Sequence, residues 1–401
     1  MDIAFLTPEY PHTQTGVSGG IGTSIRALAL ALVKLNHGVI ILLYGQKQDG
    51  SFEDEGIKVE CIKNVKVKGL SWWLTRKKLE RIINTHHANA TIDLVEAPDW
   101  TGITSFIKPK KCPVIIRMNG SDTYFCHLEN RPSKWINRFY EGRAMQKADG
   151  LISVSRFTGE LSLKLFGLSR SFEVIPNGVN LDQFHGAPSN ELSNIDKSKD
   201  ELKNQLSLNK KTILYFGTLI RKKGMLELPH IFNQIQQLHP EVELLLIGKD
   251  SGDVKSGSKS TWALMEPLFS ESAIKQVRYL GPVVHEKIKE NISRAEVCVF
   301  PSFAEAFPLS WLEAMLMGKA IVASNIGWAQ EMIEDGEQGF LVNPKNHTEF
   351  AHRVSQFLEN KDLAQKMGKN AQERVKKEFS SHEIAKQSLA YYDKILSHGV
   401  L

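Results

Sequence analysis

Two glutamates eight positions apart, Glu305 and Glu313, bracket the run Ala306-Phe-Pro-Leu-Ser-Trp-Leu312 directly after the apolar stretch Val297 to Pro301. Such a stretch reads as a buried strand, and Pro308 suits the first turn of a helix, where its missing N–H costs little. A helix beginning there turns its unpaired amides, around Leu309 and Ser310, toward an anion such as a diphosphate. About one turn further in, the Glu313 carboxylate is placed to accept hydrogen bonds from both hydroxyls of a ribose. Glu305, just ahead of the helix, can reach a sugar. On spacing alone a plainer reading stays equally open, in which Glu305 caps the helix and Glu313 complements its dipole.

Continued as Ala314-Met-Leu-Met-Gly-Lys-Ala-Ile-Val-Ala-Ser324, this stretch resembles the E-x7-E signature of glycosyltransferase family 4, whose members are retaining enzymes of the GT-B fold. The resemblance covers nearly the whole chain, because further blocks follow in the family's order. Gly19-Gly20-Ile21-Gly22 occupies the place of the glycine loop after the first strand; Gly20 and Gly22 let the backbone approach the donor, although an ordinary strand-to-helix turn explains such glycines as well. Val174 to Phe184 looks like the block between the domains. Phe216-Gly-Thr-Leu-Ile-Arg-Lys-Lys-Gly224 looks like the block that opens the second domain, where Lys223 matches the expected lysine and Thr218 stands in place of the usual arginine. Arg221 or Lys222 is then expected to supply the second charge on the departing diphosphate, in a scheme with no metal, since no DxD motif occurs in a suitable loop. A solvated basic turn is the plainer alternative. Leu280-Gly-Pro-Val-Val-His285 resembles the loop that contacts the base, through Val283 and Val284. Gly327-Trp-Ala-Gln-Glu331 takes the place of a small-residue loop in which Trp328 would shape the donor pocket.

The largest departure is in Val114-Ile-Ile-Arg-Met-Asn-Gly-Ser-Asp122, where the family usually has a histidine at the position of Asn119. Asparagine can hydrogen-bond a sugar or hold the loop, but it takes up no proton near neutral pH. His12 and His127 lie close by in sequence and serve equally well as ordinary loop histidines. The resemblance thus implies Glu305, Lys223 and Asn119 as catalytic residues. Gly20, Gly22, Thr218, Arg221, Val283, Val284, Phe307, Pro308, Leu309, Ser310 and Glu313 would bind the donor together with Lys223. On the acceptor side, Glu96-Ala-Pro-Asp-Trp-Thr-Gly102 ends a strand facing the same cleft, so Asp99 and Trp100, with Asp122, are expected to hold a sugar or lipid-linked sugar. Between Lys66 and Arg81 a basic helix opens with Trp72 and Trp73. With Arg76, Lys77 and Lys78 it could lie on an anionic bilayer, or its tryptophans could pack on the sheet.

These residues need a scaffold, and the rest of the chain describes one. At 401 residues it exceeds what a single core usually supports. Short β-branched runs alternate with amphipathic helical patterns throughout, the pattern of α/β domains with parallel sheets. The expected architecture is GT-B: two Rossmann-like domains with parallel sheets facing across an interdomain cleft. Residues 1–180 would form an acceptor-binding domain, 181–380 a nucleotide-sugar-binding domain, and 381–401 a helix packing back toward the first. A linker is expected over Asn177 to Asp200, and a mobile loop over Asp250 to Lys259. The net charge of +5 is too mild to mark a nucleic-acid binder. Four scattered cysteines form no zinc or disulfide pattern. With neither a signal peptide nor a spanning segment in view, the expected place is the cytoplasm, at most against the inner face of a membrane.

The implied activity is a retaining transfer from a nucleotide-diphosphate sugar, which is substrate rather than cofactor, to a hydroxyl acceptor in polysaccharide or glycoconjugate synthesis. Two rivals share the fold: a nucleotide-sugar epimerase, and a non-catalytic partner of another glycosyltransferase, the latter motivated by Asn119 and Thr218.

Overall fold

Strands buried on both faces read as unbroken apolar runs, and Ile3 to Leu6 and Val39 to Leu43 are all buried. They form the centre of a large sheet in the computed structural model, which describes residues 1–16, 18–184 and 210–398. The chain divides into two compact units: Met1–Asn180 with Glu305–Leu309 and Lys377–Leu401, and Leu181–Ala304 with Ser310–Lys376. Of the expected linker, residues 185–200 lie outside the described residues.

The first unit holds strands β1 (Asp2–Thr7), β2 (Gly38–Gln46), β3 (Gly50–Asp54), β4 (Ile57–Lys63), β5 (Leu94–Pro98), β6 (Val114–Met118), β7 (Gly150–Ser153) and β8 (Glu173–Val174). Their order is β3-β4-β2-β1-β5-β6-β7-β8, parallel except for the β3–β4 hairpin. That hairpin turns through Glu55 and Gly56, both at positive φ (49° and 84°), which is the two-residue turn that suits the strand twist. Helices α1 (Gly20–Lys34), α2 (Ser71–Ala88), α3 (Asp122–Leu128), α4 (Trp135–Lys147) and α5 (Arg156–Phe166) connect the strands. In α1 the buried Ile25, Leu28, Ala29 and Leu32 recur at helical spacing, so one face meets the sheet. Ser155 caps α5 through Thr158 N, and Gly167 ends it in the left-handed conformation.

In the second unit lie β9 (Thr212–Phe216), β10 (Glu243–Ile247), β11 (Val277–Tyr279), β12 (Val297–Phe300), β13 (Ala320–Ser324) and β14 (Phe340–Val342). The order β11-β10-β9-β12-β13-β14, all parallel, is the doubly wound arrangement that reverses beside its first strand. Its helices are α6 (Leu228–Leu238), α7 (Trp262–Met265), α8 (His285–Arg294), α9 (Leu309–Leu316), α10 (Ala329–Met332), α11 (His347–Glu359) and α12 (Lys361–Glu378). Asp250 to Lys259, expected as a mobile loop, is tied down. Asp253 accepts from Nε and Nη2 of Arg221 at 2.8 and 2.7 Å, and Asp250 accepts from the amides of Thr261 and Trp262.

The last helix, α13 (Ser381–His398), belongs to the first unit. Ile384, Ala385 and Tyr392 join the core formed by β1, β2 and α1. Beneath them, Arg117 donates to both oxygens of Glu96 at 2.7 and 3.0 Å, to the Ile175 carbonyl and to Ser388 Oγ, while Tyr392 OH donates to Glu96 Oε2 at 2.6 Å. Every member is buried, so the ion pair is affordable only because its donors and acceptors are matched. Among the described residues no helix is long and apolar enough to cross a membrane.

Candidate active site

Doubly wound sheets bind ligands beyond the carboxyl ends of the strands where the order reverses, which in the second unit is beside β9 and β12. The loops leaving these strands are joined: Phe303 N and Ala304 N both donate to the Lys222 carbonyl, at 2.7 and 3.2 Å. Gly224 makes the approach feasible, because it sits at φ 73° and a Cβ there would collide with the Pro301 carbonyl. Within this junction the Lys223 ammonium lies over Gly217, where an added Cβ would come within 3.5 Å of Nζ. Thr218 is exposed, and its carbonyl accepts from the buried Tyr215 hydroxyl at 2.9 Å. Arg221 departs from expectation. Its fork is engaged by Asp253, so its charge is already matched and its role is to hold the neighbouring loop.

From β12 the chain runs through Glu305 into α9, which starts at Leu309, with Pro308 just ahead of it. Trp311, Leu312 and Met315 are buried and anchor one face of the helix. Leu309 and Ser310 remain partly exposed at its start, where amides have no intrahelical partner. The Glu313 side chain is 14% exposed, and its Oε1 lies 3.4 Å from His285 Nε2. His285 opens α8 directly after Val283 and Val284; Val283 is partly exposed and Val284 exposed. The Val283-Val284 loop and Glu313 are thereby linked by a histidine whose sequence position gave no sign of that contact. Trp328 is fully buried. It supports the fold from within instead of lining a pocket.

In the first unit, the three consecutive carbonyls of Glu305, Ala306 and Phe307 are each held by side chains. Tyr124 OH donates to Glu305 O at 2.7 Å, Ser155 Oγ to Ala306 O at 3.2 Å, and Asn177 Nδ2 to Phe307 O at 3.1 Å. Glu305 and Phe307 are themselves buried. No spacing in the sequence indicates these three anchors, which come from helix α3, the cap of α5 and the loop after β8.

The carboxyl ends of β5 and β6 carry the expected acceptor side. Asp99 is fully buried, which corrects its assignment to the acceptor: it cannot touch a sugar. It instead accepts from Asn119 N at 3.0 Å and sets that loop. Burial pushes its carboxyl up to about 8, because a charge removed from water is penalised. Asn119 is partly exposed, with Nδ2 donating to the Arg117 carbonyl at 3.3 Å. Buried Glu141 gathers the surrounding turns by accepting from the amides of Thr101, Asp122 and Thr123 and from Thr123 Oγ1; desolvation raises its pKa. Asp122 opens α3, capped by Ser121, and its side chain accepts from Asn137 at 3.0 Å beside Arg131. Trp100 is partly exposed.

The glycine loop is arranged differently from expectation. The Glu9 carboxylate accepts from Gly19 N at 3.0 Å and Gly22 N at 2.9 Å, so the chain's own anion sits on the start of α1. A Cβ on Gly22 would press on the Glu9 backbone, whereas Gly20 faces open space. Gly22 is therefore a packing residue. His12 stacks on Phe52 at 4.4 Å, and His127 lies exposed in the last turn of α3. Arg76 is also a correction, for it is buried, with its guanidinium 4.7 Å from the Tyr140 ring and 5.6 Å from that of Trp72, and cannot meet a bilayer. Lys77 pairs with Glu80 and Lys78 with Asp49.

Residues 18–183 match the model for Glycosyltransferase Family 4, and residues 196–374 the model for Glycosyl transferases group 1. The chain is 28% identical to the alpha-maltose-1-phosphate synthase of Mycolicibacterium smegmatis, covering 98% of this chain and 100% of that one. It is 25% identical to an uncharacterized glycosyltransferase of Methanocaldococcus jannaschii, covering 98% of each. Among solved structures, sucrose-phosphate synthase from Thermosynechococcus elongatus superposes with a TM-score of 0.74 at 22% identity, covering 99% of this chain and 100% of that one. Anabaena HepE in complex with UDP-glucose does so with 0.72 at 20% identity, covering 98% and 100%.

Proposed function

We infer that this chain, which belongs to the family 4 glycosyltransferases and has their GT-B fold, transfers a sugar from a nucleotide-diphosphate donor to a hydroxyl with retention of anomeric configuration. The observation that carries the reading is the junction beside β9 and β12, where the Lys222 carbonyl ties the Lys223 loop to the approach of α9. A cation, a helix start and a carboxylate one turn in are the groups that a diphosphate and its ribose require.

In this scheme Lys223 and the amides at Leu309 and Ser310 neutralise the diphosphate, with no metal assigned. Glu313 accepts from the ribose hydroxyls, and Val283 and Val284 flank the base. Glu305 and the Phe307 backbone orient the donor sugar. The acceptor oxygen attacks the anomeric carbon on the face from which the diphosphate leaves, and the acceptor proton passes to the departing phosphate oxygen. No protein nucleophile is needed, so Asn119 can replace a histidine as a hydrogen-bonding group. Trp100 is the partly exposed candidate for an acceptor contact.

Anabaena HepE carries UDP-glucose, so uridine diphosphate sugars are the first donors to test. Phosphorus and proton NMR on donor without acceptor is expected to show slow release of nucleoside diphosphate and of sugar in its original anomeric form. Conversion of the donor into its epimer would overturn the transferase reading in favour of an epimerase.

A further inference from the structure

Among the described residues, most of the large apolar side chains left exposed gather on one part of the first unit. Val67, Leu70, Trp72 and Trp73 lead into and open α2, and Trp135 and Phe139 open α4; Trp135 is 77% and Phe139 49% exposed. The two helix starts are joined by one aromatic cluster. Trp72 stacks on Tyr140 at 5.6 Å and meets Phe106 edge-on at 5.6 Å, and Phe139 lies 6.4 Å from Phe106. A contiguous exposed apolar patch of this kind marks a surface that something covers.

Phe106 also lines a cavity of about 1110 Å³ whose walls carry Lys108, Lys110, Lys111, Arg143 and Lys147, against one acid, Asp149. Asp149 is already engaged, accepting from Val114 N at 2.7 Å. The four lysines have no acidic partner among the described residues. Thr104 and Ser105 line the same cavity, and their buried hydroxyls make no hydrogen bond among the described residues. The loop bearing three of the lysines, Lys108, Lys110 and Lys111, is fixed, because Lys108 N donates to Glu80 and Lys110 N to Asn84 of α2, while Lys147 ends α4. Arg143 is held over Phe106 at 4.6 Å and donates to the Ser105 carbonyl. Cations surround the aromatic patch as well, with Lys66, Lys68, Lys134 and Arg138 all exposed.

We propose that this face docks on an anionic phospholipid bilayer, with Trp135, Phe139, Trp72 and Leu70 entering the interface and the cavity beside Phe106 receiving lipid phosphate. Exposed aromatics carry the favourable burial at the headgroup level, and fixed lysines add an attraction of about 1 kcal/mol each near an anionic surface, equivalent to about fivefold in binding. The contact is peripheral, and it stands on the surface alone, independently of the transfer chemistry. It differs from a basic helix lying flat, since Arg76 is buried and the insertion edge combines α2 with α4.

The test is flotation of the full chain with vesicles of phosphatidylcholine alone and of phosphatidylcholine mixed with phosphatidylglycerol. Binding is expected only to the anionic vesicles and is expected to weaken with salt. Lys110→Glu with Lys111→Glu should lower it by at least about fivefold per cation, and Trp135→Ala or Phe139→Ala by about tenfold each. These side chains are exposed, so circular dichroism should show the variants folded. Absence of binding, or equal binding to both vesicle types, would overturn the proposal. So would a dimer in light scattering that Trp135→Ala dissolves, because a second copy would then cover the face.

Discussion

Asp99 shows how far a residue's environment governs its role. Its carboxyl titrates near 3.9 in an unfolded chain and near 8 in the folded one, so the folded state holds the proton more tightly. Stability must then fall as pH rises from about 4 to about 8. The expectation is that urea unfolding across that range shows the fall in the wild type and a much shallower one in Asp99→Asn, which keeps the shape without the charge. Equal slopes would show that Asp99 is ionised in the folded protein. A remaining slope belongs to Glu141, whose pKa burial also raises. The type of Asp99 and its place at the end of β5 were legible in the sequence; its burial was not. Burial there depends on Asn119 and on α4, which come from remote parts of the chain.

At the scale of elements, the run from β12 into α9 was legible because everything that makes it is local: an apolar strand, a proline and a helix with buried Trp311 and Leu312. The β3–β4 hairpin was missed, since β3 carries a single apolar residue, Phe52, and the Glu55-Gly56 turn is a weak signal. The start of α1 was half legible. The glycines announce a close approach, but the group that approaches is Glu9, ten residues before Gly19, brought back by the loop. Glu9→Ala should therefore destabilise the protein by about 1 kcal/mol, the usual value of a lost cap, read as a lower urea midpoint. An unchanged midpoint would mean that solvent caps α1 equally well.

For the whole molecule, α13 is a long-range part of the first unit's core, fastened through Tyr392, Glu96 and Arg117. Removing one partner of a buried ion pair leaves the other uncompensated, at a cost of about 3–5 kcal/mol. Glu96→Ala is expected to lose that much in equilibrium unfolding, and Tyr392→Phe about 1–3 kcal/mol as a buried acceptor is left short of a donor. A loss below about 1 kcal/mol in Glu96→Ala, too small for an uncompensated buried guanidinium, would contradict the pairing. The parallel strands of both sheets followed from the alternation of strands and helices, whereas the fastening of the last helix to a buried ion pair is invisible without coordinates. The central claim, that a nucleoside diphosphate binds at the start of α9, is tested most directly by calorimetric titration of the wild type and Glu313→Ala with uridine, guanosine and adenosine diphosphates. The wild type should bind one of them, and Glu313→Ala should bind that one about 10- to 100-fold more weakly, the loss of charge-assisted hydrogen bonds to ribose; equal affinity in the two proteins, or no binding by the wild type, would contradict it.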